Sequence, residues 1–268
     1  MFKERLISGI LLVLIAIGAI YVGGWVLWGV LLLISVIGMA ELERVFEMHL
    51  SVPAALCLLA AIGYYLLIKF GQESYTVPLL LGLMLALLIT FVIGYPRYEF
   101  TKLLVCFFAL FYVAMTMCCL YRIRILSGGV YLVWLAFLGA WGSDTCAYCV
   151  GRLIGKHKAF PVLSPKKSWE GCVGGVLGAA LLGFVFALVF EGKITAVGNP
   201  LLACPVICAC ASILSQFGDL AASGIKRQHN IKDYGKLIPG HGGVLDRFDS
   251  VIFTAPATYL LLSLVFGA

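Results

Sequence analysis

Charge is what this sequence has least of. Of 268 residues only 12% are charged, against 62% that are hydrophobic; a soluble domain typically has about 25% charged and about 45–50% apolar residues. A water-soluble chain of this kind would expose large apolar patches, which excludes an ordinary cytosolic enzyme. So apolar a composition also excludes a disordered chain. The ten cysteines all lie in or beside apolar stretches, unlike the pattern of a secreted disulfide scaffold. Histidine is scarce as well, with four residues. Cys146 and Cys149 have the Cys-x-x-Cys spacing, but no second pair or histidine shares their stretch, so the thiols read as small apolar packing groups. Heptads, low-complexity tracts and clear internal repeats are lacking too.

What is present is a series of apolar lengths. A helix needs about 20 mainly apolar residues to cross a bilayer, and the charges leave such lengths near 6–22, 24–40, 53–69, 77–95, 103–121, 130–150, 172–190, 200–218 and 250–267. The expected fold is all-α, a polytopic integral membrane protein with about nine transmembrane helices. Only Gly23 and Gly24 separate the first two spans; glycine accepts the dihedrals of a tight turn, and the alternative is one long or re-entrant segment. The basic start (Lys3, Arg5) is followed by apolar sequence to residue 40 without a clear small-residue cleavage region, so no removable signal peptide is expected.

The basic residues orient the chain. With a cytoplasmic N-terminus, fifteen of the nineteen Lys and Arg fall on the inner side, leaving Lys69, Arg122, Arg124 and Lys193 outside. By the positive-inside rule this gives a multi-pass protein of the cell (inner) membrane, N-terminus in and C-terminus out. The net charge of +6 is then mostly a cytoplasmic-face charge, suited to anionic lipid head groups or nucleotides. Membrane lipids are expected partners and nucleic acid is not.

Two regions follow. Residues 1–129 read as N-terminal scaffold helices, with Glu41, Glu43, Arg44 and Glu47 as a solvated interfacial loop after the second span. Residues 130–268 read as the catalytic region, with two long cytoplasmic connections, 151–171 and 219–249, that hold ten of the nineteen basic residues. Ser143, Asp144, Ser212, Ser215 and Gln216 also interrupt the adjoining spans. An Asp near a helix centre costs about 2.5–3.5 kcal/mol to insert, so such residues mark function or a helix-locking pair.

Three constellations carry the chemistry. Asp144 is the one charge between Arg124 and Arg152, about 12 Å before Arg152 along a helix; its partner is a basic residue, as in a helix-locking salt bridge, or a metal. Lys166 and Lys167 precede the glycine-rich seventh span, where paired ammonium groups and free helix N–H groups suit phosphate, although Lys-Lys at a membrane edge commonly serves orientation alone. There Gly171, Gly174, Gly175 and Gly178 give overlapping G-x-x-x-G spacings, which suit close helix contact within one chain or in a homodimer. In the third, Asp219 and Ser223 share a helix face, as do Asp246 and Asp249. Three carboxylates, Asp219, Asp246 and Asp249, suit a hard divalent cation such as Mg²⁺, which takes one or two carboxylates and completes its shell with water and phosphates. Lys226, Arg227, Lys232 and Lys236 surround them with positive charge. Gly242 and Gly243 allow close backbone approach to a ligand. His241 reads either as a base or phosphate donor, or as a turn residue.

Residues 223–249, SGIKRQHNIKDYGKLIPGHGGVLDRFD, resemble the signature of the phosphatidate cytidylyltransferases, also called CDP-diacylglycerol synthases. Upstream elements of that family are matched by Asp144-Thr145, Ala147-Tyr148 and Gly151-Arg152, then by Ser164-Pro165-Lys166-Lys167 and Trp169-Glu170-Gly171. The likeness is specific over 141–249; Cys146 departs from it, standing where a smaller residue such as glycine is usual.

The resemblance implies that CTP and phosphatidic acid give CDP-diacylglycerol and pyrophosphate. Both substrates are anionic, so charge neutralisation and in-line positioning are the main tasks. The phosphatidate oxygen is already ionised, which favours direct displacement without a covalent enzyme intermediate. The expected catalytic residues are Asp144, Lys167, Asp219, Asp246 and Asp249, with Asp219, Asp246 and Asp249 as metal ligands for Mg²⁺ and room for a second cation. Lys166, Lys167, Ser223, Lys226, Arg227, His241, Gly242, Gly243 and Arg247 are the expected substrate-binding residues. The competing readings are an anion or lipid transporter and a structural scaffold. The first is disfavoured because the polar residues gather at one membrane face; the second needs neither Asp246 and Asp249 nor the His-Gly-Gly run.

Overall fold

The computed structural model describes residues 2–267 apart from Pro239 and His241, with side chains from residue 9 onward. Helices dominate, and nine of them follow the nine apolar lengths: α1 (Phe2–Val22), α2 (Gly24–Val45), α3 (Val52–Lys69), α4 (Thr76–Ile93), α5 (Phe100–Arg124), α6 (Gly129–Ile154), α7 (Trp169–Phe190), α8 (Pro200–Gln228) and α9 (Val251–Val265). Seven helical segments among the described residues are long and apolar enough to cross a membrane, α2 to α8 (that of α4 starting at Glu73 and that of α7 ending at Lys193), and the apolar stretches Gly9–Val22 and Val251–Val265 are shorter. Gly23 and Gly24, both at positive φ, make the break between α1 and α2.

The expected connections contain more structure than their polarity suggests. In 151–171, α6 runs on to Ile154, and an antiparallel hairpin follows, β1 (Lys158–Phe160) paired with β2 (Ser164–Ser168). Among the described residues, strand pairing is confined to this hairpin and an isolated bridge, Ile238 to Gly242. In 219–249, the first ten residues continue α8 to Gln228. At 29 residues α8 is about 43 Å long and exceeds the roughly 30 Å hydrocarbon core, so its polar end projects beyond it. Side-chain caps set the starts: Ser168 accepts the Gly171 N–H at 3.2 Å for α7, and Asn199 that of Leu202 at 3.3 Å for α8.

The chain divides into two compact units, residues 1–118 with 233–247, and residues 119–232 with 248–268. Polar content divides the sequence at 129; packing joins the 233–247 segment to the N-terminal helices.

In the first unit Tyr65 ties α3 to α2, its hydroxyl 2.7 Å from Ser35 Oγ and its carbonyl accepting from Trp28 Nε1 at 2.8 Å. In the second, the glycines of α7 lie on α6. A Cβ at Gly171 would stand 2.9 Å from the Ala147 carbonyl and 3.2 Å from Gly151 Cα; one at Gly175 would stand 3.1 Å from the Ser143 carbonyl. The G-x-x-x-G spacing is therefore used within the chain. Ser143 and Ser212 pair at 2.6 Å across α6 and α8, and Gln216 Nε2 donates to the Cys172 carbonyl at 3.0 Å across α8 and α7. Such bonds join helices where apolar burial gives no net drive.

Gly171→Val is expected to lower stability by about 1–3 kcal/mol, because backbone on α6 cannot yield to the new side chain. Gly82→Ala, where a Cβ meets nothing within 4 Å, is expected to be neutral or stabilising by up to about 1 kcal/mol. Thermal unfolding in detergent, followed by tryptophan fluorescence, checks both.

Candidate active site

The second unit brings together Asp144, Asp219, Asp249, Lys167 and Lys226. Asp219 lies on the projecting end of α8, and Lys167 is the fourth residue of β2. Their side chains, 30% and 23% exposed, form an ion pair with Nζ 2.6 Å from Asp219 Oδ2. The Lys167 ammonium is buried and paired with this carboxylate, and among the described residues no other hydrogen-bond partner reaches its remaining N–H donors. Asp144 follows the π-helical turn Leu138–Gly142, a feature frequent at functional sites. It lies within electrostatic reach of Asp219 and Lys167 and is hydrogen-bonded by the Ser250 side chain.

Asp249, half-buried just before α9, accepts the Ser250 N–H at 2.8 Å. Burial above all, then the neighbouring Asp219 charge and more weakly that of Asp144, push its carboxyl up to about 7; Lys226 and the Ser250 amide pull the other way. Asp144, Asp219 and Asp249 lie close enough to repel one another, a repulsion that a cation among them would relieve.

A cavity of about 310 Å³ opens beside these groups, lined by Asp144, Tyr148, Arg152, Lys166, Lys167 and Gln216, with Gly151 and Gly171 also in its wall. Arg152 Nη1 donates to the Tyr148 hydroxyl at 3.2 Å. The volume is at the lower end for ligand sites, about 300–1,000 Å³, and its wall carries three cations. Ser223 and Lys226 are half-buried on α8, with Arg227 exposed near its end.

Asp246 belongs to the first unit. It is 7% exposed, and its Oδ2 accepts the N–H groups of Tyr234 at 2.8 Å and Gly243 at 3.0 Å. Glu41 completes the arrangement from α2, accepting from Val244 at 3.0 Å and Leu245 at 2.8 Å. The two carboxylates thus tie down one backbone segment. Gly243 and Gly235 pack so tightly on the Glu41 carboxylate that neither position has space for a Cβ, and Gly242 sits at φ +87. Arg247 follows, half-buried, its Nε without a hydrogen-bond partner. His241 lies outside the described residues.

The expected loop around Glu41 is corrected here. Glu41 and Glu43 lie on α2, 4% and 0% exposed, because the polar end of that helix packs inside the unit and Glu41 meets backbone N–H groups from 203 residues along the chain. Both Glu43 carboxylate oxygens are buried without a hydrogen-bond partner. Sequence reasoning missed Glu41, Tyr148 and Ser250. For Glu41 the signal was a carboxylate inside an otherwise apolar helix, the observation that singled out Asp144.

Among the described residues no group of three or more His, Cys, Asp or Glu side chains is arranged to hold a metal ion. Of the expected ligands, Asp219 and Asp249 lie in the second unit with Asp144, and Asp246 in the first. A hard cation does not need a preformed cage of three. Mg²⁺ binds through one or two carboxylates with phosphate oxygens and water, and the crowded Asp144, Asp219 and Asp249 carboxylates supply donors of the right chemistry.

Fold and site define a polytopic membrane protein that gathers lysines and crowded carboxylates beside one cavity. The sequence profile of the cytidylyltransferase family matches residues 3–265. A phosphatidate cytidylyltransferase of Staphylococcus saprophyticus is 33% identical over 267 residues, covering 97% of this chain and 98% of its own. Those of Staphylococcus haemolyticus and Staphylococcus epidermidis are each 34% identical over 263 residues at the same coverage. The chain belongs to the cytidylyltransferase family.

Glu41→Ala is expected to leave the Val244 and Leu245 amides unpaired at a cost of about 3 kcal/mol to the 233–247 segment. Hydrogen exchange should then accelerate at residues 242–246 while α7 and α8 keep their protection.

Proposed function

We propose that this chain is a phosphatidate cytidylyltransferase that transfers CMP from CTP to phosphatidic acid, releasing pyrophosphate, at the cytoplasmic face of the membrane. The observation that carries the reading is the Lys167 ammonium, paired with Asp219 yet holding buried, unused donors on the wall of a cationic cavity at the end of membrane helices. The names of the relatives give the substrates, and the concentration of Lys and Arg on one side supports the orientation.

Lys166, Lys167 and Arg152 offer charge to the triphosphate and the lipid phosphate. Ser223, Lys226 and Arg227, on α8 in the same unit, are further phosphate-binding candidates; Gly242, Gly243, His241 and Arg247 are assigned to substrate by the family resemblance alone. The phosphatidate oxygen attacks the α-phosphorus directly as the bond to pyrophosphate breaks; the nucleophile is already ionised, so no protein base or covalent intermediate is required. Asp219 and Asp249, with Asp144 beside them in the same unit, would hold Mg²⁺ and any second cation, whereas Asp246 is committed to the Tyr234 and Gly243 amides. The ion supplies charge neutralisation on the phosphates. The Ser143–Ser212 pair accounts for two of the polar residues a transport pathway would need.

Purified protein in detergent, given labelled CTP and phosphatidate, is expected to release pyrophosphate only with both substrates and Mg²⁺ present; release without the lipid would refute the assignment. Lys167→Ala and Asp219→Asn should each lower kcat/KM by about 10²–10³-fold. Because the Asp249 carboxyl takes up a proton near pH 7, protons compete with the cation. The Mg²⁺ concentration for half-maximal rate is expected to rise by up to about tenfold per pH unit as pH falls below about 7. A constant Mg²⁺ requirement from about pH 8 to about pH 6 would remove Asp249 from the cation site.

A further inference from the structure

A second cavity in the same unit has no part in the chemistry above. It has a volume of about 200 Å³, lies between α7 and α8, and is lined by Trp169, Val173, Val176, Ile213, Phe217 and Leu220, with Phe160 at one end. Cys172 and Gln216 line it too, and both also line the cationic cavity. The Gln216 side chain, donating to the Cys172 carbonyl at 3.0 Å, therefore stands where the polar space meets the apolar one. Leu220 is buried, while Trp169, Val173, Ile213 and Phe217 are open to the surroundings. Trp169 packs on Phe160 of the hairpin with ring centroids 5.8 Å apart.

We infer that this groove holds an acyl chain of the lipid substrate, and that Val176, Ile213 and Phe217 set its chain-length preference. The inference rests on the phosphatidate cytidylyltransferase reading. A diacyl phosphate whose head occupies the cationic cavity has to direct its chains out of it, and apolar chains follow apolar walls. Gln216 and Cys172 mark the exit. The larger apolar groove on α6 and α7, about 870 Å³ and lined by residues such as Cys146, Cys149, Leu177 and Leu181, shares no lining residue with the cationic cavity. That groove meets the smaller one at Trp169 and Val173, so a chain leaving a head group bound beside Lys167 enters the smaller groove first. The exposed side chains are tolerant positions, because they contact lipid rather than protein.

The test compares dioleoyl with dihexanoyl phosphatidate on full-length protein in detergent. Ile213→Trp narrows the groove and, by displacing about two methylenes, is expected to raise KM for the dioleoyl lipid about tenfold. KM for the dihexanoyl lipid and for CTP should move less than about twofold. Leu177→Trp, adding bulk to the larger groove, should leave the ratio of the two lipids unchanged. An unchanged ratio in Ile213→Trp, or an equal shift in Leu177→Trp, overturns the inference. Absence of CDP-lipid from wild type with either substrate overturns the underlying activity instead. Should Ile213→Trp fail to fold, wild type and a phosphatidate bearing a mid-chain diazirine decide the matter. Crosslinks on 213–220 support the groove, and crosslinks confined to 177–181 refute it.

Discussion

A charge removed from water has to be matched inside the protein, and the second unit is built around that requirement. Lys167 and Asp219 approach to 2.6 Å with less than a third of either side chain exposed. Removing one partner of such a pair leaves an uncompensated charge at a cost of about 3–5 kcal/mol, so the elements carrying them have to be held in register. Lys167 is on β2, one residue before the Ser168 cap of α7. The glycines of α7 bring it against the backbone of α6, which carries Asp144, and the Gln216 bond ties α7 to α8, which carries Asp219. The hairpin, the cap and the glycine stripe are thus parts of one arrangement that places an ammonium beside carboxylates.

The membrane helices were legible because a span is defined by an absence of charge, and absence can be read from one segment alone. Where charge returns, the sequence shows that the apolar span has ended but not that the helix has. Hydropathy therefore stops at 218, while α8 continues to Gln228 because helical hydrogen bonds do not depend on apolar side chains. The spacing of Asp219 and Ser223 carried that information at short range. Glu41 could not be placed in this way, since its partners are 203 and 204 residues distant and no local pattern encodes such a meeting.

The signature segment shows the same limit on a smaller scale. Residues 223–249 are contiguous in sequence, but 233–247 belong to the first unit and the flanking stretches to the second. Asp246 and Asp249, alike by spacing, have different surroundings. Asp246 has one oxygen committed to two backbone amides, whereas Asp249 receives one amide and the repulsion of other acids. The first arrangement orders a loop. The second lacks compensation, the condition under which a carboxylate gains most from a cation. Sequence spacing identified acids that share a helix face; it could not separate these two roles.

That difference bears on how a protein so poor in charge handles two anionic phosphates. Each phosphate group needs positive charge, yet surplus cations at a membrane edge would repel one another and cost hydration. The structure meets both demands by holding its cations against acids: Lys167 against Asp219, and Lys226 near Asp249. Pairing that leaves donors unused keeps the ammonium in place without exhausting its capacity to bind. A phosphate can then add to Lys167 without the lysine first losing a full set of hydrogen bonds. On this view the acids are as necessary to phosphate binding as the bases, which explains why a chain with thirteen acidic residues places Asp144, Asp219 and Asp249 together in the one region where anions are expected.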